Sequence, residues 1–85
     1  MNKVFADIAW EDYLYWQISD KTKMKKINNL IKSIERDGYS NGIGKPEPLK
    51  HQFKGYWSRR IDSEHRLIYK VDKENIYIVS CKDHY

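Results

Sequence analysis

The second half of this sequence gathers side chains that can move protons or hold an anion. Glu47 stands between Pro46 and Pro48, and prolines restrict the backbone on both sides of it. Arg60, Arg66 and Lys70 fall in alternating segments that read as strands, and His84 and Tyr85 follow "NIYIVSCKD". A carboxylate, an imidazole and several cations would form a metal-independent acid–base site with an anion-binding wall. RNA cleavage through its own 2′-hydroxyl suits that set. It needs a base for the hydroxyl proton, positive charge for the pentacoordinate phosphorane, and an acid for the leaving 5′-oxygen. A carboxylate or His, an Arg or Lys, and a His or Tyr fill those roles. The sequence holds no His-x-x-x-His, no Cys-x-x-Cys and no carboxylate cluster at ligand spacing, so no metal is expected. It holds no P-loop or dinucleotide fingerprint either, and no cofactor is expected.

Each of these residues also has a plainer reading. A Glu in a Pro-rich loop is commonly just solvated, an Arg on a strand commonly salt-bridged, and a His or Tyr near a chain end commonly a surface residue. Cys81 alternates with apolar residues and reads as a small buried side chain, not a nucleophile. Spacing alone therefore points toward nucleic-acid chemistry without fixing it.

These groups need a scaffold, and the pattern supplies one. A short strand over Lys3 to Ala6 leads to Asp7, the expected cap of a first helix. Trp10, Tyr13 and Leu14 recur at helical spacing, with Tyr15 and Trp16 on the flanks; Trp10, Tyr13 and Trp16 are expected in the core. Asp20 is placed to cap a second helix, in which Met24, Ile27, Leu30, Ile31 and Ile34 form one apolar stripe. Lys21, Lys23, Lys25, Lys26 and Lys32 form the opposite, solvated face, and Gly38 stops the helix. Residues 38–48, "GYSNGIGKPEP", read as loop.

The remainder alternates with period two. Trp57, Arg59 and Ile61 share one face, with Tyr56, Ser58 and Arg60 opposite; Leu67, Tyr69 and Val71 share one face, with Arg66, Ile68 and Lys70 opposite. In the last strand Ile76, Ile78, Ser80, Lys82 and His84 fall on one side, and Tyr77, Val79, Cys81, Asp83 and Tyr85 on the other. "DSE" and "DKEN" provide the turns of an antiparallel meander. Helices first and strands after predict a single α+β domain over residues 1–85, a helical hairpin packed on one face of a twisted antiparallel sheet.

Composition agrees with one small domain. With 85 residues, three Trp and seven Tyr supply much of the buried area that a short chain needs. Sixteen Lys and Arg against twelve Asp and Glu favour an anionic partner. One cysteine excludes an internal disulfide and fits a reducing compartment. No stretch has signal-peptide or membrane-spanning character, so a cytoplasmic protein is expected.

At this point the motifs resemble a known family. "AWEDYLYW", "KINNLIKSIERD", "GKPEPLK", "GYWSRRIDSEHRLIYKV" and the terminal "CKDHY" occur in the order found in the Txe/YoeB branch of the RelE/ParE toxin superfamily, the ribosome-dependent mRNA interferases of bacterial toxin–antitoxin pairs. The resemblance covers nearly the whole chain. It implies an endoribonuclease that cuts mRNA in the ribosomal A site by 2′-hydroxyl attack, leaving a 2′,3′-cyclic phosphate and blocking translation. It gives Glu47 as general base, Arg66 as transition-state arginine, His84 as general acid and Tyr85 as a nucleotide-holding residue. Glu64 matches a carboxylate that assists the histidine, and Lys50 and Arg60 match basic positions beside the scissile phosphate. Loss of the His84–Tyr85 end is expected to abolish activity. One stretch departs from the family: "DGYSNG" replaces its Pro-Phe after the second helix and is one residue longer, so codon preference does not carry over.

The partners implied are a YefM-like antitoxin, the 70S ribosome, mRNA, operator DNA through the antitoxin complex, and a second copy in a homodimer, with no membrane. An acidic segment of the antitoxin is expected to fold over Glu47, Arg66 and His84. Two rivals stand beside this reading. One is a non-catalytic binding toxin of the ParE type that acts on DNA gyrase, which resembles this chain in fold but lacks the Glu47, Arg66, His84 and Tyr85 set. The other is a DNA-binding or interaction module that uses the lysine face of the second helix.

Overall fold

The structure, a computed structural model, describes residues 1–83. Strand β1 (Asn2–Phe5) leads into helices α1 (Asp7–Ser19) and α2 (Lys21–Asp37). Strands β2 (Glu47–Pro48), β3 (Trp57–Arg60), β4 (Arg66–Val71) and β5 (Asn75–Ser80) follow, with a 3-10 turn at His51–Phe53 between β2 and β3. The five strands form one sheet in the order β1-β5-β4-β3-β2.

The antiparallel meander β3-β4-β5 forms as the alternation predicts. The sheet is nevertheless mixed, because β1 pairs in parallel with β5, Lys3 facing Ile76 and Phe5 facing Ile78. An unpaired β5 edge would expose a row of backbone donors and acceptors, and β1 covers it. The loop expected over 38–48 is regular at its end, where Glu47 pairs with Ser58 and Pro48 with Trp57. Pro48 is tolerated because β2 is the sheet edge.

Helix α2 follows its apolar stripe. Ile27, Leu30, Ile31 and Ile34 are buried against Leu67, Tyr69, Ile76 and Ile78, and Met24 packs at the margin. Full burial of each such aliphatic side chain is worth about 1.5–3 kcal/mol. Asp20 caps the helix as expected, its carboxylate accepting from the amides of Thr22 (3.0 Å) and Lys23 (3.4 Å). It also ends α1, since its own N–H donates to the Trp16 carbonyl. A single residue therefore turns the hairpin.

Three expectations about the helices change. Asp7 is not the cap of α1: Ala6 is, without a side-chain bond, and Asp7 is already helical. The Ala6 N–H still pairs with the Ile78 carbonyl while its C=O accepts the first helical bond from Trp10, so strand passes into helix with no residue to spare. Trp10 is not core. It is 46% exposed and stacks on Tyr13 and against Phe5, while Ala9 and Trp16 carry the buried face of α1. Lys23 leaves the solvated face to pair with Asp62 at 2.7 Å.

The last strand departs most from simple alternation. Ile68 pairs with Ser80 but the next residue, Tyr69, pairs with Ile78, so Val79 is an extra residue in a β-bulge. A bulge shifts every later side chain by one position. Cys81, expected opposite Ile76 and Ile78, joins them in the core with no exposed surface. Burial pushes its thiol up to about 12, in keeping with an inert packing residue. No helix among the described residues is long and apolar enough to cross a membrane.

Candidate active site

Strand register gathers three of the expected residues on the sheet face turned away from the helices. Arg59 points into the core, so its neighbour Arg60 points outward. Arg60 pairs directly with Arg66 across β3 and β4, and Ser58, two residues before Arg60, pairs with Glu47. Glu47, Arg60 and Arg66 thus share one corner of the open face. Like charges directly opposite on a sheet repel. Two cross-strand arginines form a place where an anion is welcome.

Glu47, Lys50 and Arg60 are exposed. Among the described residues their side chains have no hydrogen bond or ion pair, while Arg66 is half-buried and tied. Its Nη1 donates to the carbonyls of Asp62 (2.8 Å) and His65 (3.1 Å), which fixes the guanidinium beside the β3–β4 turn. Lys50 lies three residues beyond Glu47, on the side away from Arg66, where the Leu49 N–H extends the β2–β3 pairing to the Tyr56 carbonyl. Glu64 is in the turn, its Oε1 3.7 Å from Nε2 of His65. His84 and Tyr85 lie outside the described residues. No three His, Cys, Asp or Glu side chains converge as a metal site among the described residues.

The turn beneath Arg66 is built by Asp62. Its Oδ1 accepts from the amides of Glu64 (2.8 Å) and His65 (2.6 Å), an Asx turn, and its Oδ2 meets Lys23. Burial works to raise its carboxyl, but the Lys23 ammonium and the two amides outweigh burial and hold it well below the ordinary carboxylate range. His65 sits over this turn, 8% exposed, with its ring edge-on to Trp16.

The sequence reading passed over Arg59, which sets the course of the loop before Glu47. Its guanidinium is fully buried and each of its N–H groups has a partner. Nε donates to the Tyr69 hydroxyl; Nη1 to Ser33 Oγ and the Ile43 carbonyl; Nη2 to the carbonyls of Gly38 and Asn41. The Tyr69 hydroxyl donates to the Tyr39 carbonyl, and Ser33 donates to Asp37. Residues 38–43 are wrapped around one side chain. Gly42 and Gly44, at φ +108 and +86, permit this wrap: a Cβ on Gly42 would strike Ser33, and one on Gly44 would lie 2.6 Å from Leu30. The available signal was an arginine on the same face as Trp57 and Ile61.

The segment after β5 is held at both ends. Cys81 N–H donates to Asp12 Oδ2 (3.0 Å) and Cys81 C=O accepts from Trp16 Nε1 (2.8 Å). Asp83 N–H donates to His65 Nδ1 (2.8 Å), and Asp83 C=O accepts from the Arg66 amide (2.9 Å). Burial raises the Asp12 carboxyl, with the Cys81 amide and Lys82 offsetting part of the rise. The chain direction at Asp83 is set by a left-handed backbone, φ +62.

Comparison with known proteins identifies the chain. Residues 5–85 match the family model described as the YoeB-like toxin of bacterial type II toxin–antitoxin systems. The chain is 53% identical over 85 residues to Toxin YoeB of a Synechocystis species, covering all of this chain and 98% of that one. Among solved structures it is similar to a YoeB dimer from Staphylococcus aureus, with 56% identity, TM-score 0.96, and coverage of 100% and 98%. It is equally similar in sequence to the toxin in a heterotetrameric YoeB-YefM complex from the same organism, with 56% identity, TM-score 0.94 and the same coverage. This chain belongs to the YoeB-like toxin family of bacterial type II toxin–antitoxin systems.

Proposed function

We propose that this toxin is a ribosome-dependent endoribonuclease that cuts mRNA in the ribosomal A site by metal-independent acid–base catalysis. Glu47 takes the proton from the 2′-hydroxyl, and that oxygen attacks the adjacent phosphorus. Arg66 binds the phosphorane oxygens as charge builds on them, and Arg60 and Lys50 hold the phosphates beside it. His84, assisted by Glu64, gives a proton to the 5′-oxygen as the P–O bond breaks, and Tyr85 holds the nucleotide. The products are a 2′,3′-cyclic phosphate and a free 5′-hydroxyl.

The observation that carries this reading is the shared corner of Glu47, Arg60 and Arg66 on the open sheet face. A base and two unneutralised guanidiniums are what the reaction asks for. A general acid or base contributes about 10²–10⁴-fold. The rest comes from a ribosome that holds the codon in an attack-ready form, since correct positioning removes much of the entropic barrier. The same surface suits a YefM-like antitoxin whose acidic segment folds over the site and silences it. That complex in turn binds operator DNA through the antitoxin. The toxin works in the cytoplasm and pairs with a second copy, as the S. aureus YoeB dimer does.

The deciding experiment adds purified protein to programmed 70S ribosomes with a defined A-site codon and maps the products by primer extension. The expected result is a cut inside the codon, absent without ribosomes and absent with His84→Ala. Folded protein that arrests growth yet leaves the message intact, with DNA breaks accumulating, would overturn this in favour of a gyrase-directed toxin.

A further inference from the structure

We infer that Asp12, Trp16 and His65 are positioning residues that hold Cys81 and Asp83, with His65 locking Asp83 beside Arg66 so that the chain delivers its proposed general acid, the next residue in sequence, from a fixed point. The tether itself is independent of the acid–base reading; its effect on catalysis rests on that reading.

Past Ser80 the regular β4–β5 pairing ends, and from β4 a further backbone bond runs from the Arg66 amide to the Asp83 carbonyl. Side chains supply the other holds. Asp12 and Trp16 stand one helical turn apart on α1 and grip the N–H and C=O of Cys81. Two residues later the imidazole of His65 accepts the Asp83 N–H, and the Arg66 amide donates to the Asp83 carbonyl. The residue directly before His84 is therefore locked to the residue directly before Arg66 and to Arg66 itself. An imidazole that accepts at Nδ1 carries its remaining proton on Nε2. That nitrogen is 3.7 Å from Glu64 Oε1, and the ring edge meets Trp16, so the acceptor atom is aimed by contacts on the other sides of the ring. The Asp83 carboxylate, 3.9 Å from Nδ1, is also near. A group that must donate a proton within hydrogen-bond reach of a 5′-oxygen gains its rate from such placement.

Two substitutions separate aim from packing. His65→Phe keeps a ring against Trp16 and removes the acceptor. His65→Asn discards the ring but returns an acceptor oxygen near the Nδ1 position. Amide exchange measured by NMR on the free toxin reads the tether directly. The Asp83 N–H should exchange about tenfold faster in His65→Phe, the loss of one hydrogen bond, and close to the wild-type rate in His65→Asn. Cleavage on programmed ribosomes reads the consequence. His65→Phe should lower kcat by about ten- to a hundredfold with KM within about twofold, a near-attack geometry lost without loss of binding. His65→Asn should recover most of kcat despite its poorer packing. Unchanged Asp83 exchange in His65→Phe would overturn the tether. Faster exchange with unchanged kcat would overturn its positioning role. So would a kcat that follows Tm across both variants and ignores the acceptor. A wild-type protein that cuts nothing on ribosomes would sink the proposed function alone, and Asp83 exchange would still decide the tether.

Discussion

Arg59 and Arg60 are adjacent in β3 and meet opposite fates. Arg59 faces the helices, where its five N–H groups are all used inside the protein. Arg60 faces outward, opposite Arg66 and diagonal to Glu47, with its side chain unpaired among the described residues. The covered face carries a charge whose hydrogen bonds are complete; the open face carries charges whose partners must come from elsewhere. A buried guanidinium without partners would be costly, so folding has to complete the hydrogen bonds of the covered face. An open-face guanidinium costs little in water, so it is free to wait for substrate. The same residue type thus builds the scaffold on one side and leaves charge exposed on the other.

The sharpest way to test that contrast is Glu47→Gln. It removes the proposed base without a bond lost to the described structure. Cleavage on ribosomes should fall about 10²–10⁴-fold while stability stays within about 0.5 kcal/mol, as for exposed sites generally. A comparable loss of both would place Glu47 in the scaffold and break the comparison.

Next comes one substitution made at both arginines. Arg59→Met leaves Ser33, Tyr69 and three loop carbonyls without their donor and should cost about 3 kcal/mol or more. For a domain of this size that is a fall in Tm of roughly 12–24 °C, measured by calorimetry. Arg60→Met should leave Tm within a few degrees, roughly the effect of 0.5 kcal/mol, and lower cleavage about tenfold at low salt, with the loss shrinking as salt rises and screens the wild-type contact. Equal thermal effects would mean that the faces do not divide the work.

The smallest expected effect concerns the turn that joins β3 to β4. Asp62 is held well below the ordinary carboxylate value of 3.8. Its stabilisation is therefore fully present above that value and is lost as pH falls through it toward the lower folded value. Asp62→Asn keeps an acceptor for the turn amides and loses the attraction to Lys23. It should cost about 1 kcal/mol or less at neutral pH, the range for a partly exposed pair, and flatten the acid side of the Tm–pH profile. An unchanged profile would remove Asp62 from the acid response.

Local pattern was readable where side chains alone decide. The α2 stripe, the Asp20 cap, the Gly38 stop, and the two faces of β3 and β4 follow from periodicity, and the structure has them. What escaped depends on backbone partners far away in sequence. No periodicity announces that Val79 is an extra residue opposite β4, so Cys81 was assigned to the wrong side. Arg59 sits correctly in the alternation, but the carbonyls of Gly38, Asn41 and Ile43 that accept its protons carry no side-chain signature. Trp10 and Trp16 look alike in a helix rich in aromatics on every side, and only tertiary packing tells the exposed one from the buried one. For the site, residue types were legible for Glu47, Arg60 and Arg66, and a shared face for Arg60 and Arg66, while Glu47 was legible only as a loop residue. The register joining them was not, and the His65 link to Asp83 could not be read at all.

The strand order has a consequence for the birth of the protein. β5 is translated after the other four described strands, yet it lies between β1 and β4. A nascent chain that has made everything up to Val71 has no strand to join its first segment to the meander. Pairing of such sequence-distant strands is slow even in a finished chain, and here it cannot begin until β5 has left the exit tunnel. The Cys81–Asp83 segment therefore reaches Arg66 only once β5 has taken its place. Folding of this sheet is thus completed by an interior strand and not by an edge.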